Sequence, residues 1–84
     1  MSSIVKRSVV VAGRKTSISL EEVFWNHVKR LAHEKHTSLA GLLTSICDRK
    51  PRQQNLSSAI RCFVVTELEE RLAAIAAAKV AEAA

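Results

Sequence analysis

Tyrosine is missing from this chain of 84 residues, and its only aromatic side chains are Phe24, Trp25 and Phe63. Two cysteines, Cys47 and Cys62, can make at most one bridge, so no disulfide framework supports the fold. They read as small, reduced core residues of a cytoplasmic protein. The apolar run Val9-Val10-Val11-Ala12 is far shorter than the roughly 7–15 residues of a signal-peptide core or the ~20 of a membrane helix. The Ala-rich end is interrupted by Lys79 and Glu82, so no membrane association is expected. His27, His33 and His36 do not combine with the cysteines in any paired ligand spacing, and no metal is expected. There is no nucleophile–base pair and no cofactor loop. A chain this short also has little room for a supported pocket of several hundred Å³. Neither an enzyme nor a cofactor is indicated.

Acid is missing from residues 1–17, which hold Lys6, Arg7, Arg14 and Lys15. The whole chain carries +5 from 13 Lys and Arg against 8 Asp and Glu. Glu67, Glu69, Glu70 and Glu82 outnumber Arg61, Arg71 and Lys79 after residue 56. A basic end joined to a near-neutral body points to a polyanion at one end and a protein partner at the other.

Residues 5–20 read as extended because Val5, Val9, Val10, Val11, Thr16 and Ile18 are β-branched and fit no helical stripe. Gly13 marks either a turn or a bulge. Thr16, Ile18 and Leu20 share one face of the strand; Lys15, Ser17 and Ser19 share the other. A helix follows from Glu21, with Ser19 as a candidate cap and Phe24, Val28 and Leu31 as its stripe, widened by Trp25 and Ala32. It ends at Lys35 or His36. Ser38 caps a second helix, whose apolar face is Leu39, Leu42, Leu43, Ile46 and Cys47. The Arg49–Gln54 stretch breaks the pattern as a loop. Asn55 or Ser57 caps a third helix with Ile60, Val64, Leu68, Leu72 and Ile75 on one stripe and an Ala-rich, fraying end.

A lone strand leaves backbone donors and acceptors on both edges. Pairing with the same strand of a second copy would satisfy one edge and join two half-cores. The resulting two-stranded ribbon has the width to enter the DNA major groove.

The segment Thr16-Ser17-Ile18-Ser19-Leu20-Glu21, then Phe24-Trp25, then Thr37-Ser38-Leu39 before Leu42-Leu43, resembles the ribbon-helix-helix DNA-binding family. It is most similar to a bacterial subgroup that also has an Asn-Leu-Ser-Ser-Ala-x-Arg-x-Phe-Val segment, matched by Asn55–Ala59, Arg61, Phe63 and Val64. The resemblance spans roughly residues 6–72. It implies a mainly α fold with a short β ribbon: a ribbon-helix-helix homodimer with an additional C-terminal helix. The parts are a basic arm and strand over 1–20, a helix-turn-helix core over 21–48, a loop over 49–55 and a third helix over 56–84. By the same resemblance, Lys15, Ser17 and Ser19 face bases. Ser38 and Leu39 clamp a phosphate at the second helix's N-terminus, and Arg14, Lys6 and Arg7 add arm contacts. Ile18, Leu20, Phe24, Trp25, Val28, Leu42 and Ile46 form the dimer core.

The function this implies is a homodimeric bacterial transcription regulator on double-stranded DNA, with higher assembly on adjacent half-sites. The alternative is a protein-interaction module, an antitoxin or adaptor, that binds a partner through the third helix. Two departures stand out. His36 occupies a position usually held by Gly, and two Ser are weaker base readers than Arg, Asn or Gln.

Overall fold

Val11-Ala12-Gly13-Arg14 decides how the extended N-terminal segment is used. Ala12 and Gly13 have φ of 51° and 77°. Two consecutive positive φ values are the signature of a type I′ hairpin turn, whose twist matches that of the flanking strands. Gly13 adopts this backbone freely, whereas Ala12 costs about 1–2 kcal/mol. The Ala12 amide donates to Thr44 Oγ1 at 2.9 Å and so pins the strained turn to the body. The ambiguity at Gly13 is therefore resolved as a turn.

The computed structural model describes residues 3–83. Met1, Ser2 and the expected helix end at Ala84 lie outside them. The hairpin joins strand β1 (Ile4–Val11) to strand β2 (Arg14–Glu21) in antiparallel register from Ile4↔Glu21 to Val11↔Arg14. Helices α1 (Glu22–Glu34), α2 (Leu39–Arg49) and α3 (Leu56–Ala83) follow. The strand is thus not alone: the inner edge of β2 is satisfied within the same chain. A two-stranded ribbon is thus present within one chain.

Every junction has a local cause. Ser19 is a strand residue, not a cap; the cap position of α1 is Glu21, whose side chain makes no cap bond. The first helical amide, Glu22 N–H, donates instead to the Ser3 carbonyl at 2.9 Å. Strand runs into helix with no break for a capping side chain to mark. At the other end of α1, His36 sits at φ 54°. His36 N–H donates to the His33 carbonyl and Thr37 N–H to the Ala32 carbonyl, the paired bonds of a Schellman ending. His36 therefore does the work of the expected Gly, at the cost of a left-handed backbone. Ser38 caps α2 by accepting from Gly41 N–H at 2.9 Å. A Cβ on Gly41 would lie 2.9 Å from Thr37 Oγ1 and 3.0 Å from Ser38 Oγ, so the cap needs a bare Cα there. Asn55 Oδ1 accepts from Ser58 N–H at 2.8 Å and starts α3.

The helices cover one face of the ribbon. Val9, Val11, Ile18 and Leu20 meet Val28, Leu31, Ala32, Leu42, Leu43, Ile46, Ala59, Ile60 and Val64 in one apolar cluster. Phe24, Trp25, Leu39, Cys47, Phe63 and Leu68 are partly buried around it. All seven residues expected in a dimer core thus lie in, or pack against, the core of a single chain. Fully burying a Leu, Ile or Val contributes about 1.5–3 kcal/mol, so this cluster is the main source of stability. Three ion pairs tie α3 to the rest: Arg61–Glu21 at 2.7 Å, Lys35–Glu67 at 3.0 Å and Arg71–Glu34.

Candidate nucleic-acid interface

Alternation along two paired strands sorts the ribbon into two faces. Val5, Arg7, Val9, Val11, Thr16, Ile18 and Leu20 turn toward the helices or lie half-buried over them. The opposite face displays Lys6 across from Ser19, Ser8 across from Ser17 and Val10 across from Lys15. All six are exposed. The first acidic residue of the chain is Glu21, at the far end of the ribbon, and Arg61 neutralises it. The outer face is therefore positively charged, with hydroxyl and ammonium donors at its centre and Ile4 and Val10 as exposed apolar residues.

Lys15, Ser17 and Ser19 stand side by side on this face, spaced by the strand period of two. Lys6 joins them from β1. Arg14 is exposed at the turn end of β2. Arg7 does not join them. It points to the inner face, with its guanidinium carbon 4.7 Å from the centre of the Trp25 ring. Its Nη1 is buried with no hydrogen-bond partner among the described residues. Its charge is held by the aromatic face rather than presented beside Lys6.

Ser38 and Leu39 open α2 at a second location. The Ser38 hydroxyl accepts from Gly41 N–H and the Ser38 carbonyl from Leu42 N–H, so Ser38 takes two of the first four amides of the helix. Leu39 and Ala40 border a surface groove together with Ser8, Val9, Val10, Trp25 and Leu43. The end of α2 that suits an anion thus lies beside β1.

Two features of this face escape the alternation in the sequence. Ser8 and Val10 are outward residues in line with the predicted readers, and Thr44 of α2 fixes the turn that aligns them. The usable signal was the pair Ala12-Gly13 midway between two eight-residue runs. Arg7 inside and Val10 outside obscure it.

Among the described residues no group of His, Cys, Asp and Glu is arranged to hold a metal ion. No helix among the described residues is long and apolar enough to cross a membrane. Glu21 and Glu34 both titrate below their ordinary value of 4.5. In each case the main cause is the hydrogen bond from an arginine, Arg61 for Glu21 and Arg71 for Glu34.

A basic two-stranded ribbon, backed by a helix pair whose second member opens on a Ser cap, defines a class of small nucleic-acid-binding folds. The chain belongs to the ribbon-helix-helix domain family, whose pattern it matches over residues 4–68. Members are typically DNA-binding transcription regulators or antitoxins, and they are not enzymes. The match covers the hairpin, α1, α2 and the anchored part of α3. No curated protein matches the chain, and no solved structure does.

Proposed function

We propose that the protein is a bacterial, cytoplasmic transcription regulator that binds double-stranded DNA as a homodimer through the outer face of its ribbon. The observation that carries this is the exposed face on which Lys6 and Lys15 flank Ser8, Ser17 and Ser19, its acid Glu21 lying at the far end in an ion pair with Arg61. Lys15 has donors for guanine O6 or N7, and each hydroxyl can donate or accept at a base edge. Lys6 and Arg14, with the N-terminus of α2 at Ser38 and Leu39, meet phosphates. Two free thiols suit a reducing compartment.

The homodimer rests on other ground than a lone strand. Leu72, Ile75 and Val80 of α3 are 67%, 56% and 70% exposed, an apolar surface that a second copy would cover. The same surface supports the second reading, in which α3 docks a different protein and DNA binding is secondary.

Selection from random duplexes followed by titration at two salt concentrations tests the first reading. The wild type should recover a defined sequence, with affinity falling steeply as salt rises. Lys6→Ala should weaken all duplexes alike and flatten the salt slope by about 0.9. Lys15→Ala should weaken binding and also blur one position of the selected sequence, by ~1–3 kcal/mol at that base. Sedimentation should give twice the chain mass, reduced to one by Leu72→Glu with Ile75→Glu. A chain that selects no duplex, yet loses its cellular activity on those two helix substitutions, supports the second reading.

A further inference from the structure

The wedge between the end of α2 and the start of α3 carries an inference that goes beyond the DNA reading and does not depend on it. We propose that the cavity there binds a small organic anion, a carboxylate on a short apolar body, held by Arg49 and Lys50.

The sequence makes the space. α2 ends at Arg49, and Lys50 is extended, with φ −71° and ψ 148°. Pro51 has no N–H for the helical ladder. Its carbonyl accepts from Gln54 N–H at 3.1 Å, closing a turn before Asn55 caps α3. Helices that part in this way leave a wedge, and side-chain size decides what fills it. Ile46 of α2 and Ala59 of α3 form the buried floor, each 6% exposed. Ala59 is the smallest of the inward residues of α3, beside Ile60 and Val64. It leaves open a volume that a Leu would close. The cavity measures about 230 Å³. Sites for drug-sized ligands run to about 300–1,000 Å³, so this one suits a smaller molecule.

The walls specify its chemistry. Ile46, Pro51, Ala59 and Phe63 offer apolar contact. Arg49 and Lys50 also line the cavity, and no acid does among the described residues. Lys35, Arg61 and Arg71 are engaged with Glu67, Glu21 and Glu34. Arg49 and Lys50 have no such partner among the described residues. A cation in the last turn offsets the partial negative charge of the helix end, which accounts for Arg49. It does not account for Lys50, which lies past the helix, covers the Ile46 carbonyl with its own amide at 3.1 Å and lines the same cavity. Two cations beside an apolar floor complement a carboxylate whose hydrocarbon part is buried there. Inorganic phosphate would satisfy only the cations, and an alcohol only the walls.

A thiol at the rim makes occupancy measurable. Cys62 is exposed and lines the cavity, whereas Cys47 is half-buried and lies outside the lining. The experiment follows alkylation of both thiols by iodoacetamide in the full chain, resolved by peptide mass. Hexanoate, hexanol or inorganic phosphate is present at equal millimolar concentration. Hexanoate should slow Cys62 about fivefold or more at saturation and leave Cys47 unchanged, because reactivity follows access. Hexanol and phosphate should each bind about tenfold more weakly or worse, since each satisfies half of the site. Arg49→Gln and Lys50→Gln should each raise the hexanoate concentration needed about tenfold, through loss of a charge-assisted hydrogen bond. Thr66→Phe, at an exposed position of the cavity rim, should fill the mouth and abolish the effect of hexanoate. Melting curves establish that the three variants are folded. Equal protection by hexanoate and hexanol, or by hexanoate and phosphate, would overturn the proposal. So would protection that survives both Gln substitutions, equal slowing of Cys47, or no protection at all. None of these outcomes bears on duplex selection, so the DNA reading stands or falls separately.

Discussion

The two halves of α3 are one continuous helix held by different physics. Up to Val64 its inward residues are at most a few per cent exposed: Ala59 6%, Ile60 0% and Val64 1%. Leu68 is half-buried, and Glu67 and Arg71 are tied to Lys35 and Glu34 at the C-terminal end of α1. Every described residue from Glu69 onward is exposed. The proximal half is helical because the core needs its stripe. The distal half is helical because seven alanines between Ala73 and Ala83 favour that backbone without tertiary help. A shared secondary structure thus conceals a division between a structural element and a free surface, and the family match stops at residue 68, close to that division.

Substitutions of equal size should expose the division most sharply. Ile60→Ala should cost about 2–5 kcal/mol, by lost burial and the cavity left behind. Leu72→Ala, on the same helix, should stay within ~0.5 kcal/mol for the isolated chain. Paired chemical melts measure both, and equal losses would mean that the distal half is packed. At the ribbon, Thr44→Val should cost about 1 kcal/mol by removing the acceptor of the Ala12 amide. Ala12→Gly should recover a similar amount by relieving the left-handed backbone. Thermal melts of the two singles and the double read that balance.

Gly41→Ala tests the α2 cap. Helix propensity alone would gain up to ~1 kcal/mol. Contact with Thr37 Oγ1 and Ser38 Oγ should reverse the sign and loosen the capping bond. A stabilised variant would show that the two hydroxyls move aside freely.

Acid should act at the border of the two halves, with the smallest effect of the set. Glu21 and Glu34 have folded-state pKa values below 4.5, through Arg61 and Arg71. The unfolded chain therefore binds their protons more readily. Their contribution to stability is complete above that ordinary value and is lost as pH falls through it toward the folded pKa. Both pairs are exposed, so the effect is modest and screened by salt. Amide protection around residues 67–71, taken relative to an unstructured chain at each pH from neutral to below 4, should fall as Glu34 protonates. Glu34→Gln should abolish that pH dependence there.

Legibility followed how local each determinant is. Ser38 and Asn55 were readable as caps because a cap is chemistry between neighbours. The facing of Lys15, Ser17 and Ser19 was readable because Ile18 and Leu20 alternate with them. The His36 turn was readable as a departure, and its φ of 54° is what a missing Gly entails. β1 was read only as extended chain, with Gly13 marking either a turn or a bulge. Its outward face includes Ile4 and Val10 and its inward face Arg7, which blurs the polar–apolar code. Lys6 and Arg7 were grouped as one basic arm, but one step along a strand reverses direction. Only the Trp25 ring, supplied by another element, gives Arg7 a reason to turn inward. The division within α3 was half-legible: the Ala-rich end announced weak anchoring, but Leu72 and Ile75 continued the apolar stripe of Ile60, Val64 and Leu68 without a break.

The two-residue turn at Ala12 and Gly13 acts as a reading frame. With no spare residue between Val11 and Arg14, the partner of every side chain in β1 is fixed by counting back from the turn. Inserting a single residue there would do more than lengthen a loop. A shift of one position exchanges the faces of a strand. Val9 and Val11 would be driven out into solvent while Lys6, Ser8 and Val10 turned in. A one-codon insertion at this point should therefore act like a frameshift within the folded protein: every residue of β1 remains, but the message on its surface is replaced by the one meant for its core.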